Sequence, residues 1–581
     1  MLYRKWWGAH LLPMAVLLLF PLACSSKARL PKPAGDGASH PVTSGNTVQA
    51  AKDEGSALPT QSEHFAIASP QPPDGQWLTD DQGRSYFLDR LPRKHGVRID
   101  KKTVRTVWGF SVEVAKEDDE YYYVKVYKVE PLPPPAESSE VSVEEQRKIQ
   151  ATYQAEVTES DRLRFVPFNE GLPTAGQWRE GFTLADMNED GYLDIVHGPA
   201  RKSLGPPVVF LGDGKGKWTR WREAQYPPLA YDYGDAQVGD FNNDGHRDLA
   251  LGVHLRGLIV LLGDGRGHFT LARQGSGFIP DGKDDKGARF SSLAIKVVDW
   301  NADGRADILA LGEGPRPNFR AAGPGASSGA SSQGPVVYLN QGNGEWKRHA
   351  QGTGSKAIFG TSLTLGDFNG DTRIDFATAS SMQGRKDLVN IGLPTGEWKP
   401  LAVSEVRPNA LVRAVVAGDV DRDRRDDLIV AYLSYELNTW HTGIDVLYAR
   451  PEGTWQRRAL FAEEGTRGVV ALAVGDVDAD HHLDLVALTG SGDTWVFLGD
   501  GSGFFTKERT GIPRFAGGCS GSHVELADLD GDGRDEIVTA FAQEATDESP
   551  ATLGQSGAAD PALSPCPSEG GLSAWKATVR P

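Results

Sequence analysis

The sequence predicts an all-β chain whose larger part is one sheet motif written seven times. Three observations predict it: an acidic nine-residue loop recurs, each copy is flanked by short alternating apolar runs, and the interval between copies is nearly constant. The copies begin at Asp186 (DMNEDGYLD), Asp240 (DFNNDGHRD), Asp299 (DWNADGRAD), Asp367 (DFNGDTRID), Asp419 (DVDRDRRDD), Asp476 (DVDADHHLD) and Asp528 (DLDGDGRDE). Their spacings are 54, 59, 68, 52, 57 and 52 residues. A period near 50 residues marks a repeat architecture rather than a chance cluster.

Residues 1–24 read as an export signal. Arg4 and Lys5 precede an apolar stretch from Leu11 to Phe20, too short for a spanning helix. Ala23-Cys24 resembles a bacterial lipobox, with Pro21 where Leu is usual. That resemblance implies lipidation of Cys24, and Ser25-Ser26 in place of Asp implies sorting to the outer membrane of a Gram-negative-type bacterium. More than one acyl chain suffices for stable anchoring. Ordinary cleavage nearby, giving a periplasmic or secreted product, is the alternative. Residues 25–75 are Ala, Gly, Ser, Pro and charge with almost no aromatics, and are expected to be a disordered tether. Such a tether reaches about 40 Å. Residues 76–130 recover strand-like runs (GQWLTDDQGRSYFLDRLP and YYYVKVYKV), a small β-rich module with Tyr121 to Tyr123 half-buried. Residues 131–160 hold PLPPP and an expected helix around Val141 to Gln154.

From 161 to 581 the repeat takes over. Each loop is entered through a run such as GFTLAD or ALAVGD and left through one such as LDIVHG or DLVALT, so the pair reads as a hairpin. A third run ends in Gly-x-aromatic in six units, and Trp218, Phe269, Trp346, Trp398, Trp455 and Phe505 open a fourth. These aromatics suit packing between units better than ligand stacking. Four strands per unit, repeated radially, make a β-propeller with short, protected edges. The fold class expected is therefore a seven-bladed propeller. Unit seven stops without a fourth strand, and LRFVPFNEGLP (Leu163 to Pro173) is similar to the end of unit six. A strand at about Leu163–Phe168 is expected to complete blade seven and close the ring. Polar insertions interrupt blade three (Pro315 to Gly334) and blade seven (Ala542 to Gly570).

The loops carry the chemistry. Oxygen donors at positions 1, 3, 5 and 9, with the backbone carbonyl of position 7, suit a hard cation. In the first four copies these are Asp186, Asn188, Asp190, Tyr192 and Asp194; Asp240, Asn242, Asp244, His246 and Asp248; Asp299, Asn301, Asp303, Arg305 and Asp307; and Asp367, Asn369, Asp371, Arg373 and Asp375. In the last three they are Asp419, Asp421, Asp423, Arg425 and Asp427; Asp476, Asp478, Asp480, His482 and Asp484; and Asp528, Asp530, Asp532, Arg534 and Glu536. No Cys or His stands at positions 1, 3, 5 or 9, which argues against zinc or copper. Ca²⁺ fits better than Mg²⁺, whose octahedral demands are stricter. Gly at position 6 supplies a left-handed turn, and Thr372, Arg424 and His481 replace it. Those three sites are expected to bind more weakly, Thr372 most of all because it is β-branched. Asp, Asn and Gly also form metal-free turns, but seven copies in register outweigh that reading.

The net charge of −17 is local to these loops: 24 carboxylates stand at positions 1, 3, 5 and 9, and without them the balance is +7. No basic stripe points to nucleic acid. Cys519 and Cys566 flank part of unit seven in an oxidising compartment and are expected to pair.

On these motifs, residues from about Arg162 to Pro581 resemble the FG-GAP and VCBS repeats of integrin-α-like propellers. The resemblance implies Ca²⁺ in the loop between the first two strands of each blade and a ligand surface on the opposite face. Tyr226, Tyr231, Tyr233, Tyr435 and Trp440 are the exposed-loop candidates there. No catalytic constellation stands out. Gly325-Ala-Ser-Ser-Gly329 matches a nucleophile-elbow string but lacks its strand–turn–helix setting. The expected function is a calcium-binding, envelope-anchored, non-catalytic adhesion or scaffold module for a protein or glycan. The alternative is a carbohydrate-active enzyme, of lyase or oxidoreductase type, using the propeller channel. It would show as acids or histidines projecting into that channel with no metal role.

Overall fold

A computed structural model describes residues 78–80, 85–92, 105–107, 110–117 and 121–127, and most of 150–580. The longer omissions from that last span are 273–277, 279–290, 313–333, 350–359 and 544–565. The export signal, Cys24, the tether, most of the linker and helix region, Gly325 to Gly329 and the bulk of both insertions lie outside the described residues. The chain divides into two units, 1–135 and 136–581.

In the first unit five strands form one sheet, in the order Leu78–Thr79, Ser85–Pro92, Tyr121–Tyr127, Phe110–Glu117, Arg105–Val107. Phe87, Val114, Val124 and Val126 bury one face. Tyr123 is half-buried, with the Lys116 ammonium 5.7 Å from its ring centre.

The second unit is a series of antiparallel four-stranded sheets in sequence order. The first is Phe182–Ala185, Asp194–His197, Val208–Gly212, Trp218–Arg220; the fifth, with the longest strands, is Ala410–Gly418, Asp427–Glu436, Thr439–Arg450, Thr454–Glu464. In the last sheet Ser520–Ala527, Glu536–Ala542 and Gly570–Val579 are joined by Leu163–Pro167, with Trp575 opposite Pro167 and Val579 opposite Leu163. The early segment therefore does supply the missing strand. An unexpected addition is Thr158–Ser160, which pairs parallel with Phe505–Glu508 as a fifth strand on the sixth sheet. The Cys519–Cys566 disulfide forms, with Cα atoms 4.8 Å apart.

Alternation along each strand buries one row of side chains against each neighbouring sheet. The result is seven apolar clusters, each shared by two consecutive sheets. Trp218, Phe269, Trp346, Trp398, Trp455 and Phe505 are all buried in these seams, as expected. The Trp218 cluster joins the first sheet to Val538, Ala540 and Leu572 of the seventh. Such repeated antiparallel blades are propeller-like.

Candidate metal centre

All seven acidic loops connect the first and second strands of their sheets. Each folds by the same bonds. The position-1 carboxylate accepts the N–H groups of positions 5 and 6: Asp186 takes Asp190 at 3.1 Å and Gly191 at 2.9 Å. The position-5 carboxylate accepts the N–H of position 7, as Asp190 does from Tyr192 at 2.9 Å. Thr372, Arg424 and His481 keep the position-6 bond, at 2.7, 3.0 and 2.9 Å. They do so at φ of 69°, 74° and 64°, the left-handed region expected there. Position 4 is left-handed as well, at Glu189, Asn243, Ala302, Arg422 and Ala479, a feature the sequence did not signal because these are not glycines.

Position 9 sits deeper. Asp194, Asp248, Asp307, Asp375, Asp427, Asp484 and Glu536 are fully buried. Each accepts the N–H of position 2 in its own loop; for Asp194 that is Met187, at 2.8 Å. The six aspartates also accept an N–H at the end of the third strand, as Asp194 does from Gly212 at 2.9 Å. Position 9 therefore pins the loop to its own sheet. Burial, reinforced by neighbouring carboxylates and opposed by these N–H bonds, raises the acids to about 6 at Asp248 and Asp307. It raises Asp194, Asp375 and Glu536 to about 7 and Asp427 and Asp484 to about 8. An ion among the carboxylates would relieve that penalty.

Positions 1, 3 and 9 converge. Oxygens of Asp419, Asp421 and Asp427 lie within 4.8 Å of one another, as do those of Asp476, Asp478 and Asp484, and of Asp528, Asp530 and Glu536. These clusters can hold a metal ion. The all-oxygen donor set fits a hard cation, and in the seventh loop buried Glu536 Oε1 and Asp530 Oδ1 lack a hydrogen-bond partner. In the first four loops Asn at position 3 supplies an amide oxygen in place of the third carboxylate. Counting carboxylates thus ranks the loops at Asp419 and Asp476 differently from the strain at position 6. Position 5 turns aside: in loops three to seven its carboxylate contacts the position-7 side chain, Arg305, Arg373, Arg425, His482 or Arg534. Tyr192 is exposed, and His246 instead meets Glu189 of the preceding loop at 2.5 Å.

Sequence reasoning missed two acids at position 8. Asp426 accepts the Asp367 N–H at 2.8 Å and Asp535 accepts the Asp476 N–H at 2.7 Å, so each ties its loop to the one before. Both stand within acid-rich strings where neither could be singled out.

One cavity of about 190 Å³ is lined by first-strand residues of the third to seventh sheets and by Glu180, Gly181 and Asp235, which lead into the first strands of the first and second. Asp235, Lys296, His523 and Glu525 line it, with His523 Nε2 3.1 Å from Glu525 Oε1. Three of the aromatic candidates need correction, Tyr226 among them because it packs against the seam between the first two sheets. Tyr231 and Tyr233 are buried, Tyr231 in the seam between the first two sheets and Tyr233 stacked on His254 at 4.6 Å. Tyr226 stacks on Phe269 at 4.8 Å. Tyr435 and Trp440 remain accessible, paired at 5.1 Å near the tip of the long hairpin of the fifth sheet.

Residues 326–378, 419–487 and 476–539 match the FG-GAP-like repeat family, and these spans hold the loops at Asp367, Asp419, Asp476 and Asp528. The chain carries FG-GAP-like repeats. No curated protein matches it significantly. Among solved structures, crystal structures of BBS1N in complex with ARL6DN, soaked with mercury or with lead, align at 9% identity with TM-scores of 0.40 and 0.39. The alignments cover 72% and 73% of this chain and 97% of those chains. FG-GAP-like repeats with these sheets mark a β-propeller-like module of the binding or adhesion type.

Proposed function

We propose that residues 161–581 form a closed, seven-bladed, calcium-binding propeller, displayed from the cell envelope by lipid on Cys24, that holds a protein or glycan without catalysis. The observation that carries this reading is the identical bonding of seven acidic loops, one per sheet, whose buried position-9 acids await a counter-charge. Closure is supported by the seam between the first and seventh sheets and by the cavity, which is lined by five sheets and by the segments leading into the other two. Ca²⁺ suits a donor set of carboxylates, amides and carbonyls better than Mg²⁺ does. The Tyr435–Trp440 hairpin lies at the strand ends remote from the loops, where a partner would dock. The mature chain should melt higher in calcium than in chelator, and bind a member of a glycan or envelope-protein array through Tyr435 and Trp440. An identical melting curve in excess chelator would sink the calcium reading; binding untouched by the double alanine variant would sink the docking surface.

A second reading has one observation in its favour. His523, Glu525 and Asp235 project into the cavity with no metal role. Burial raises the Asp235 carboxyl. Burial also works to raise Glu525, but the His523 hydrogen bond and the Lys296 charge outweigh it and leave that carboxyl low. Such a divergent pair suits acid–base work on a sugar. Glycan breakdown lost in His523→Gln would establish it, and no turnover by the wild type across a polysaccharide panel would dismiss it.

A further inference from the structure

We infer that the loops fall into two classes of equal charge, and that the three with Asp at position 3 carry their own counter-cation, hold together without metal and take it more weakly. This inference rests on the calcium reading above.

In the four Asn loops the position-3 amide Nδ2 donates to the position-5 carboxylate, at 2.9, 2.8, 2.9 and 2.9 Å. Asp at position 3 removes that donor and adds a charge. In each of the three Asp loops a basic side chain from outside the loop meets the extra carboxylate. Arg450 donates to Asp421 at 2.6 Å and to Asp423 at 3.3 Å. Arg162 pairs with Asp478. Lys576 pairs with Asp530, lies 2.8 Å from Asp532 and 3.7 Å from Glu536. Four carboxylates and one such cation carry the same charge as three carboxylates. Arginines at position 7 occur in both classes and do not distinguish them.

Two of the cations come from third strands and one from elsewhere. Arg450 ends the third strand of the fifth sheet, Lys576 lies within the third strand of the seventh, and Arg162 immediately precedes the strand Leu163–Pro167. Arg450 and Lys576 thus approach from equivalent strands at positions two residues apart, and Arg162 approaches from a different segment. An ammonium or guanidinium among carboxylates does part of what a metal would do, and an incoming ion must displace it or share the oxygens. The seventh loop has room to do so, because Glu536 Oε1 and Asp530 Oδ1 are buried without a hydrogen-bond partner.

Equilibrium dialysis of the full mature chain against calcium tests this. The expected result is four tight sites, that at Asp367 included because Thr372 keeps its position-6 bond, and three at least tenfold weaker. Lys576→Met should move one site into the tight class and should lower the melting temperature in chelator but not in saturating calcium. The double variant Lys576→Met/Asp530→Asn, which recreates the charge of an Asn loop, should stay folded in chelator and also show five tight sites. Seven equal sites in the wild type, or a tight count unchanged in both variants, would overturn the two-class inference and leave the calcium reading standing. Binding of no calcium at all would overturn both.

Discussion

Replacing Asp194 by Ala separates a structural role of position 9 from a ligand role. The carboxylate is fully buried and accepts two backbone N–H groups, from Met187 at 2.8 Å and Gly212 at 2.9 Å. Alanine leaves both donors buried and unpaired, at roughly 1–3 kcal/mol each. The local loss is thus about 2–6 kcal/mol, with or without metal. Repeat proteins open sheet by sheet, so a global midpoint would blur the effect; hydrogen exchange resolved by peptide is the better assay. Peptides covering the first loop and the strand Val208–Gly212 should exchange at least about 30-fold faster in calcium-free buffer, the equivalent of about 2 kcal/mol. Asp190→Ala is the control, because position 5 is exposed and water replaces the lost bond. Protection unchanged in Asp194→Ala without calcium, or lost only when calcium is present, would refute the view that position 9 pins the loop to its sheet.

The buried acids also set a pH dependence. Their folded values, raised mainly by burial to about 6 to 8, exceed the roughly 4 of an unfolded carboxyl, so the metal-free fold holds protons that the unfolded chain has released. That stabilising contribution is complete below about pH 4 and fades as pH rises through 6 to 8. Because calcium needs the ionised forms, its binding at pH 6 should expel protons; calorimetry in buffers of differing ionisation heat would measure this, and zero release would contradict it. The disulfide closes a loop of sequence separation 47, so Cys519→Ser should cost up to about 4 kcal/mol by the chain-entropy argument, read as a lower denaturation midpoint under oxidising conditions only.

What the sequence made legible were features written within one repeat. Oxygen donors two residues apart, glycine at the turn and an aromatic opening the fourth strand all recur in register, and the sheets follow them. What it hid depends on residues brought together from afar. Arg162 and Asp478 are 316 positions apart, and nothing near either marks the pair. Thr158–Ser160 is too polar and short to signal a strand, yet the edge of Phe505–Glu508 offers it a ladder. Tyr231 and Tyr233 looked like loop tips because Pro, Gly and Asp surround them, whereas Tyr231 is buried in the seam between the first two sheets and Tyr233 stacks on His254.

The links between loops bear on how metal loss would spread. Were each loop closed only on its own sheet, chelation would loosen seven units independently. Asp426 instead holds the position-1 backbone of the loop at Asp367, and Asp535 holds that of the loop at Asp476. In both cases the holder belongs to a loop with Asp at position 3 and a basic side chain from the third strand beside it, at Asp419 and Asp528. The held loops are two of the three with a non-glycine residue at the strained position 6. On the two-class inference, a loop that keeps its shape without an ion thus braces a neighbour that must bear backbone strain. Chelation would therefore spread less readily across these two pairs of sheets than across the others.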